Sequence, residues 1–388
     1  MKFNFKTFFI SVFAFWLGFS LCSLYGYQIK SKLTKEIDFS PFFEAWKNVE
    51  EKYYNFSQQD REKMLQGAIE GMIKSLNDPY SDYLDPQETA EFEENLEGSY
   101  EGIGAEVGIR DDVLTIISPL KGTPAEKAGL MAGDKIIEIN GEPTKKMSLT
   151  EAVLKIRGRA GTTVTLTIKR NNKIFKVKIK RAKIALPILD FKMLEGEIPY
   201  VQIYNFYEEA PLKFRSEVVS KIFQSNKKKM ILDLRNNPGG LLSSAVQIAG
   251  FFVKEGEIIL KEKLKGGEIE EFTSPGPGVF SDFKIIILIN KGSASASEIL
   301  AGTIKEHFKN NAILIGEKTF GKGTVQEFVK LQDRSSLKIT VASWLLPSGK
   351  SIEKIGIKPD IEVKMTKEDI NKGRDPQLKR AIEEIKKF

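Results

Sequence analysis

The sequence predicts an α/β protein of several domains, and three observations carry that prediction. Apolar runs such as Met230-Ile231-Leu232-Asp233-Leu234 and Ile285-Ile286-Ile287-Leu288-Ile289 read as buried strands. These runs alternate with helix patterns, the order of an α/β core. The 388 residues, 41% hydrophobic and 29% charged, leave room for two or three well-cored domains.

Charge narrows the function classes. The net charge is +7, but lysines are interleaved with glutamates and form no basic stripe. We read this as solubility and expect no nucleic-acid partner. The single cysteine, Cys22, allows no internal disulfide, and with the single histidine, His307, it cannot build a His/Cys metal site.

Residues 1–35 read as a membrane anchor or signal segment. Lys2 and Lys6 precede an almost uncharged stretch, Thr7 to Gln28. About 20 apolar residues suffice to span a bilayer as a helix. No small-x-small cleavage site stands near its end, and Tyr25 and Tyr27 fit an interfacial belt. The expectation is an uncleaved anchor; the alternative is secretion after signal cleavage. Lysines flank both ends, so charge does not fix the orientation.

Residues 36–97 form an expected N-terminal helical region. Phe42, Phe43, Trp46 and Val49 recur at helical spacing, as do Met64, Leu65, Ala68, Ile69, Met72 and Ile73, and both stripes are expected to pack. Asn77 to Leu84 reads as a turn-rich connector, with Asp78 and Asp82 as loop and capping carboxylates.

Residues 98–182 form a separable β-rich module. Gly102-Ile103-Gly104 begins a strand. Pro124-Ala125-Glu126-Lys127-Ala128-Gly129-Leu130 gives a turn and short helix, and Gly133-Asp134-Lys135-Ile136-Ile137-Glu138-Ile139-Asn140-Gly141 a strand and turn. A helix, Leu149 to Arg157, and a strand, Thr163 to Arg170, complete it. The module resembles a PDZ domain. That resemblance implies capture of a peptide C-terminus as an added strand, its carboxylate held by backbone N–H groups of Gly102, Ile103 and Gly104. Ile103, Val153 and Leu154 are expected to line the pocket for the last side chain. Arg157 is either a charge contact to the carboxylate or a solvated helix end.

Residues 183–363 carry the candidate chemistry. Gly292-Ser293-Ala294-Ser295-Ala296-Ser297-Glu298 joins a strand to a helix pattern. A serine at such a turn exposes its hydroxyl beside the helix's free N–H groups, the geometry of an acyl-transfer nucleophile. His307 lies twelve residues further on, roughly 18 Å along a continuous helix, and cannot be its base. The base must be a carboxylate or a lysine. Lys322 in Phe320-Gly321-Lys322-Gly323-Thr324-Val325-Gln326 fits, provided an apolar pocket lowers its pKa from ~10.4. If Lys322 to Phe328 is extended, positions 322, 324 and 326 face one side.

These segments, with Leu234-Arg235-Asn236-Asn237-Pro238-Gly239-Gly240, closely resemble the carboxyl-terminal processing (tail-specific) peptidase family from about residue 40 to 363. The resemblance implies Ser295 as nucleophile, Lys322 as base, Gln326 as its orienter, and Gly240 and Ala296 N–H groups as the oxyanion hole. It implies a crotonase- and Clp-protease-like α/β core with the PDZ-like module inserted, no metal or organic cofactor, and action outside the cytoplasmic membrane. An apparent two-residue lengthening between Ser295 and Lys322 is assigned to the loop at Phe308–Asn311. Asp233 and Arg235 read as a structural ion pair.

Residues 364–388 form an expected C-terminal helical tail. The Leu378, Ile382 and Ile385 stripe of the helix Pro376 to Phe388 points to docking or dimerisation. The reading is therefore a membrane-anchored, extracytoplasmic serine endopeptidase whose partners are protein substrates with exposed C-terminal tails. A homodimer and a regulatory partner are compatible with it. The alternatives are a catalytically inactive PDZ adaptor on a peptidase fold and a small-molecule esterase or amidase.

Overall fold

The computed structural model describes residues 37–388, apart from 111, 112, 121, 148, 367, 370 and 371. The apolar N-terminal stretch, and the anchor read from it, lie outside the described residues. Among those described, no helix is long and apolar enough to cross a membrane. The chain divides into two units, residues 1–75 and 76–388.

In the first unit the helices Ser40–Lys52 and Gln58–Lys74 follow the expected apolar spacing. Asp60 accepts from the Ser57 N–H at 2.7 Å and starts the second helix with a capping box. The helices are tied by a polar contact, Arg61 Nε to Glu50 Oε1 at 2.8 Å. The aromatic stripe is not buried as expected: Phe42 and Phe43 stay exposed, and Phe42 packs its ring only on its neighbours Phe43 and Trp46, at 5.5 and 6.1 Å between ring centres, among the described residues.

Among the described residues the second unit is built on three larger sheets and one two-stranded ladder. The central one orders its strands Leu189–Leu194, Ile198–Ile203, Lys229–Asp233, Lys284–Ile289, Ala312–Gly316 and Ile361–Glu362. Its first pair is antiparallel and the rest are parallel. The runs Met230–Leu232 and Ile285–Ile289 are fully buried because both faces are covered. On one face Leu232, Ile287 and Leu314 pack with Ala245, Ile248, Leu300 and Ile304 from two helices. On the other, Ile231, Ile286, Leu288 and Ile315 pack with Ala381 and Ile385 of the helix Pro376–Lys387. The C-terminal stripe thus docks within the chain. Ile385→Ala, which empties a fully buried site, is expected to cost about 2–5 kcal/mol, read as a lowered urea midpoint.

The segment expected to be a connector is partly a strand. Asp82–Leu84 pairs antiparallel with Ser336–Leu345, which also carries Ile258–Leu264 and Thr324–Lys330. This pairing spans more than 250 positions of sequence, which no local pattern reveals. The third sheet forms the β-rich module: Ala105–Arg110, Val113–Pro119, Lys135–Ile139, Thr163–Arg170 and Lys173–Lys180, around Ile116, Ile136, Leu166 and Ile168. A short ladder of Ser99–Gly102 with Ala182–Ala185 closes the base of the module where the chain enters and leaves it.

Candidate active site

The strand Lys284–Ile289 ends in the serine-rich turn, and the helix Ala296–Phe308 begins immediately after Ser295. The three serines have distinct environments. Ser293 is buried and donates to the Leu234 carbonyl at 2.8 Å. Ser297 is buried and donates to the Asn237 carbonyl at 2.9 Å. Ser295 is only half-buried, and its backbone is held at φ 54, ψ −118, a strained conformation for a residue with a Cβ. Ser295 in this conformation lines a cleft of about 290 Å³.

The cleft gathers the residues expected to act together. Ser295, Ala296, Gly240, Lys322 and Gln326 all line it. Its other walls are mostly apolar, including Phe92, Leu96, Leu242, Ile299 and Phe328. His307, at the far end of the helix, lies against the Ile258 carbonyl, 2.7 Å from its Nε2, and is remote from Ser295. Among the described residues no cluster of His, Cys, Asp or Glu is grouped as metal ligands.

The turn Asn236–Gly240 is sewn to the serine turn. The Asn237 carbonyl accepts from the Ala294 N–H at 3.1 Å as well as from Ser297. Asn237 Oδ1 accepts from the Gly239 N–H at 2.9 Å, and its Nδ2 donates to the Ile203 carbonyl at 2.9 Å. Gly239 and Gly240 have φ of +109 and +141. A Cβ at Gly240 would lie 2.5 Å from the Phe206 carbonyl oxygen, so glycine is required there. Among the described residues no acceptor takes the Gly240 or the Ala296 N–H. Both donors therefore remain free beside Ser295.

Upstream, Asp233 and Arg235 form the expected ion pair, at 2.6 Å. Arg235 also reaches Asp375 at 2.9 Å and Gln377 at 3.0 Å, and Tyr200 donates to Asp233 at 2.6 Å. Burial opposes the guanidinium charge, but Asp233 and Asp375 outweigh it and raise its pKa. The tail 364–388 thus supports the strand end from which the Asn236–Gly240 turn departs.

Lys322 reaches the cleft from the glycine-flanked turn before the strand Thr324–Lys330. Burial, assisted by Lys338, lowers the pKa of its amine; Asp78 and Glu353 oppose the shift. The amine lies 4.9 Å from the centre of the Tyr80 ring. Gln326 is not bonded to it among the described residues. The Gln326 amide donates instead to Thr324 Oγ1 at 2.9 Å and Thr340 Oγ1 at 3.1 Å. A bulge between Val325 and Gln326 breaks the strict alternation expected from 322 to 326. The site thus brings Lys322 and Gln326 to one cleft without joining them.

Sequence reasoning missed the residue that links the two halves. Glu298 is fully buried, and its carboxylate accepts four hydrogen bonds. Oε2 takes the Ser295 and Lys322 N–H groups, both at 2.9 Å. Oε1 takes the Thr319 hydroxyl at 2.5 Å and the Gly321 N–H at 2.7 Å. Burial raises its pKa, and these four donors resist the rise. The signal was present as Ser295-x-x-Glu298, a capping-box spacing.

In the β-rich module, Ile103 is buried in the core with Ala125, Ala152 and Ile156, while Leu154 is exposed. Of the residues expected to line the pocket for the last side chain, Ile103 is thus a core residue, Val153 is half-buried and Leu154 lies on the surface. Arg157 stacks 4.8 Å over the Tyr100 ring and lies beside Gly102. It is thus a loop-side residue and not a freely solvated helix end.

Comparisons with known proteins agree with this architecture. The model of peptidase family S41 matches residues 197–363, that of the PDZ domain residues 92–169, and that of the activating protease CtpB N-terminal domain residues 26–89. The chain is 38% identical over 337 residues to the carboxy-terminal processing protease CtpA of Bacillus subtilis strain 168, covering 87% of this chain and 71% of that protein. It is 40% identical over 331 residues to a CtpA-like serine protease of Staphylococcus aureus strain N315, of whose length it spans 66%. Among solved structures, the photosystem II D1 C-terminal processing protease aligns with a TM-score of 0.53 and 28% identity, over 83% of this chain and 92% of that one. An S41 protease of Bacteroides fragilis NCTC 9343 aligns at 0.50 with 19% identity, over 76% of this chain and 82% of that one, a likeness of fold alone. Together with the serine turn, the glycine-rich turn and the PDZ module, these matches establish that the chain belongs to peptidase family S41, among the carboxy-terminal processing proteases.

Proposed function

We propose that the chain is a membrane-anchored, extracytoplasmic serine endopeptidase that selects protein substrates by their free C-terminal tails. The observation that carries the chemistry is the shared cleft of Ser295, Lys322, Gly240 and Ala296. Ser295 Oγ attacks the scissile carbonyl. Lys322, whose burial favours the neutral amine, takes the hydroxyl proton and then gives it to the leaving amine. The Gly240 and Ala296 N–H groups hold the oxyanion, each worth about 3 kcal/mol. Gln326 is assigned to orient the amine, which requires its side chain to leave Thr324 and Thr340. The apolar walls favour substrates with apolar side chains beside the scissile bond. The PDZ module, through Gly102, Ile103, Gly104 and Arg157, holds the tail. The anchor is proposed from the apolar stretch between Thr7 and Gln28, and the extracytoplasmic side from the resemblance to the tail-specific peptidase family.

The test uses the full chain in detergent. Its substrate is an unfolded protein ending in small apolar residues, offered with a free and with an amidated C-terminus. Cleavage of the free-tail form alone, lost in Ser295→Ala, is the expected result. Equal cleavage of both forms would remove tail selection, and cleavage surviving in Ser295→Ala would remove the nucleophile.

A further inference from the structure

The segment Asp78–Tyr83 comes from far upstream, yet it forms one side of the lysine's surroundings. Two contacts with the strand Ser336–Leu345 fix it there, and two hydrogen bonds within the segment shape it. Tyr83 sits opposite Leu337 in the strand pairing. Ser81 Oγ accepts the Thr340 N–H at 3.0 Å and donates to Asp78 Oδ2 at 2.6 Å. The Tyr80 N–H donates to Asp78 Oδ1 at 3.1 Å. Thr340 is also the residue that engages Gln326, so one short network joins Asp78, Ser81, Thr340 and Gln326.

The result is a defined place for the lysine side chain. Its Nζ lies 4.9 Å from the Tyr80 ring centre, within range of a cation–π contact. Such a contact attracts the ammonium and not the neutral amine, because the ring face is negative and only the ammonium carries a full charge. Asp78 and Glu353 add negative charge to the same surroundings, and Lys338 is the opposing cation. The Tyr80 hydroxyl stays protonated: burial raises its pKa, and Glu353, Asp78 and Glu298 add to the rise. The ring is therefore a neutral π face toward Lys322.

We propose that Tyr80 is a positioning residue for the general base: its ring face seats the protonated Lys322 side chain, at a place where the amine is not bonded to Gln326. Loss of the proton removes the attraction and frees the amine for Ser295. Tyr80 thereby raises the pH at which Lys322 becomes available. This rests on Lys322 being the base, and the experiment separates the two ideas.

Lys322 is read without turnover, by trace acetylation of the full Ser295→Ala chain with acetic anhydride over a pH series. The peptide containing Lys322 is quantified by mass spectrometry. Tyr80→Leu keeps an apolar side chain and removes the π face; Tyr80→Phe keeps the aromatic ring and removes only the hydroxyl. The expected result is that Tyr80→Leu moves the labelling midpoint down by about 0.5–1 pH unit, a rise of roughly 3–10-fold in labelling rate below the midpoint. Tyr80→Phe should leave the midpoint in place. With Ser295 intact, the acid limb of kcat/KM should move down by the same amount in Tyr80→Leu, since that limb reports the free enzyme. An unmoved labelling midpoint in Tyr80→Leu overturns the proposal. So does Tyr80→Phe behaving like Tyr80→Leu, which would assign the effect to the hydroxyl. A shifted labelling midpoint together with no cleavage by the chain that keeps Ser295 would retain the seat and defeat the peptidase reading.

Discussion

Glu298→Gln is expected to lower kcat for peptide cleavage by at least about 100-fold while leaving affinity for a tail peptide unchanged. The carboxylate accepts four hydrogen bonds and offers no donor, which matches its surroundings of two N–H groups at Oε2 and an N–H and a hydroxyl at Oε1. An amide replaces one oxygen by NH2. If the nitrogen takes the Oε2 place, the Ser295 and Lys322 N–H groups both face a donor. If it takes the Oε1 place, Thr319 can rotate to accept, but the Gly321 N–H cannot. Each buried donor left without an acceptor costs about 1–3 kcal/mol. The chain relieves this by letting the serine turn and the lysine turn separate. A shift of about 1 Å between reacting groups is enough for a 100-fold loss. Glu298→Asp tests the same point by reach, because the shorter side chain cannot span both turns. Cleavage near the starting rate in both variants would show that Ser295 and Lys322 do not depend on this carboxylate. Tail affinity, measured on the same proteins, separates a damaged site from an unfolded chain.

The two halves of the site differed in how far the sequence revealed them. The serine turn and the lysine turn are local. Each is bracketed by small residues, lies next to an apolar strand run, and owes its shape to its own φ/ψ demands, as at Ser295. The parallel core was legible for the same reason, since runs such as Ile285–Ile289 need no partner to declare themselves buried. Glu298 was visible as a cap but not as a bridge, because the Thr319–Lys322 loop that it binds is brought to it by the fold. Tyr80 was hidden altogether. Its place follows from pairing Asp82–Leu84 with Ser336–Leu345, and nothing within Asn77 to Leu84 specifies that partner. The bulge at Val325 and Gln326 was hidden likewise, for a one-residue irregularity leaves no mark in a strand pattern and yet turns Gln326 toward Thr340. The C-terminal helix was read correctly as amphipathic, but its connection to the site runs through the contacts of Asp375 and Gln377 with Arg235, which no local pattern reveals.

The second large effect is expected from a methyl group. Gly239→Ala should reduce kcat/KM by about 100- to 1,000-fold, the range seen when an oxyanion donor is lost. Gly239 has φ +109, and a Cβ built there lies 2.8 Å from the Ala294 carbonyl oxygen, 2.8 Å from Ser295 Cβ and 3.1 Å from the Ala296 nitrogen. Two of these three neighbours are backbone atoms of the serine turn, and the third is the first carbon of the serine side chain. None is the loose end of a flexible chain, so the turn itself must move. The movement carries Ser295 and the Ala296 N–H away from the Gly240 N–H, the other free donor of the cleft. Backbone strain alone also destabilises alanine at positive φ, and a control isolates it. Gly256 has φ +82 with nothing within 4 Å of its Cβ position. Gly256→Ala therefore suffers the conformational cost without the collision, and is expected to lower the thermal midpoint while retaining most of the cleavage rate. If Gly239→Ala and Gly256→Ala lose stability alike and both keep their activity, the two turns are not coupled as their contacts indicate. A selective loss of turnover in Gly239→Ala means that the distance between the Asn236–Gly240 turn and Ser295 controls the chemistry.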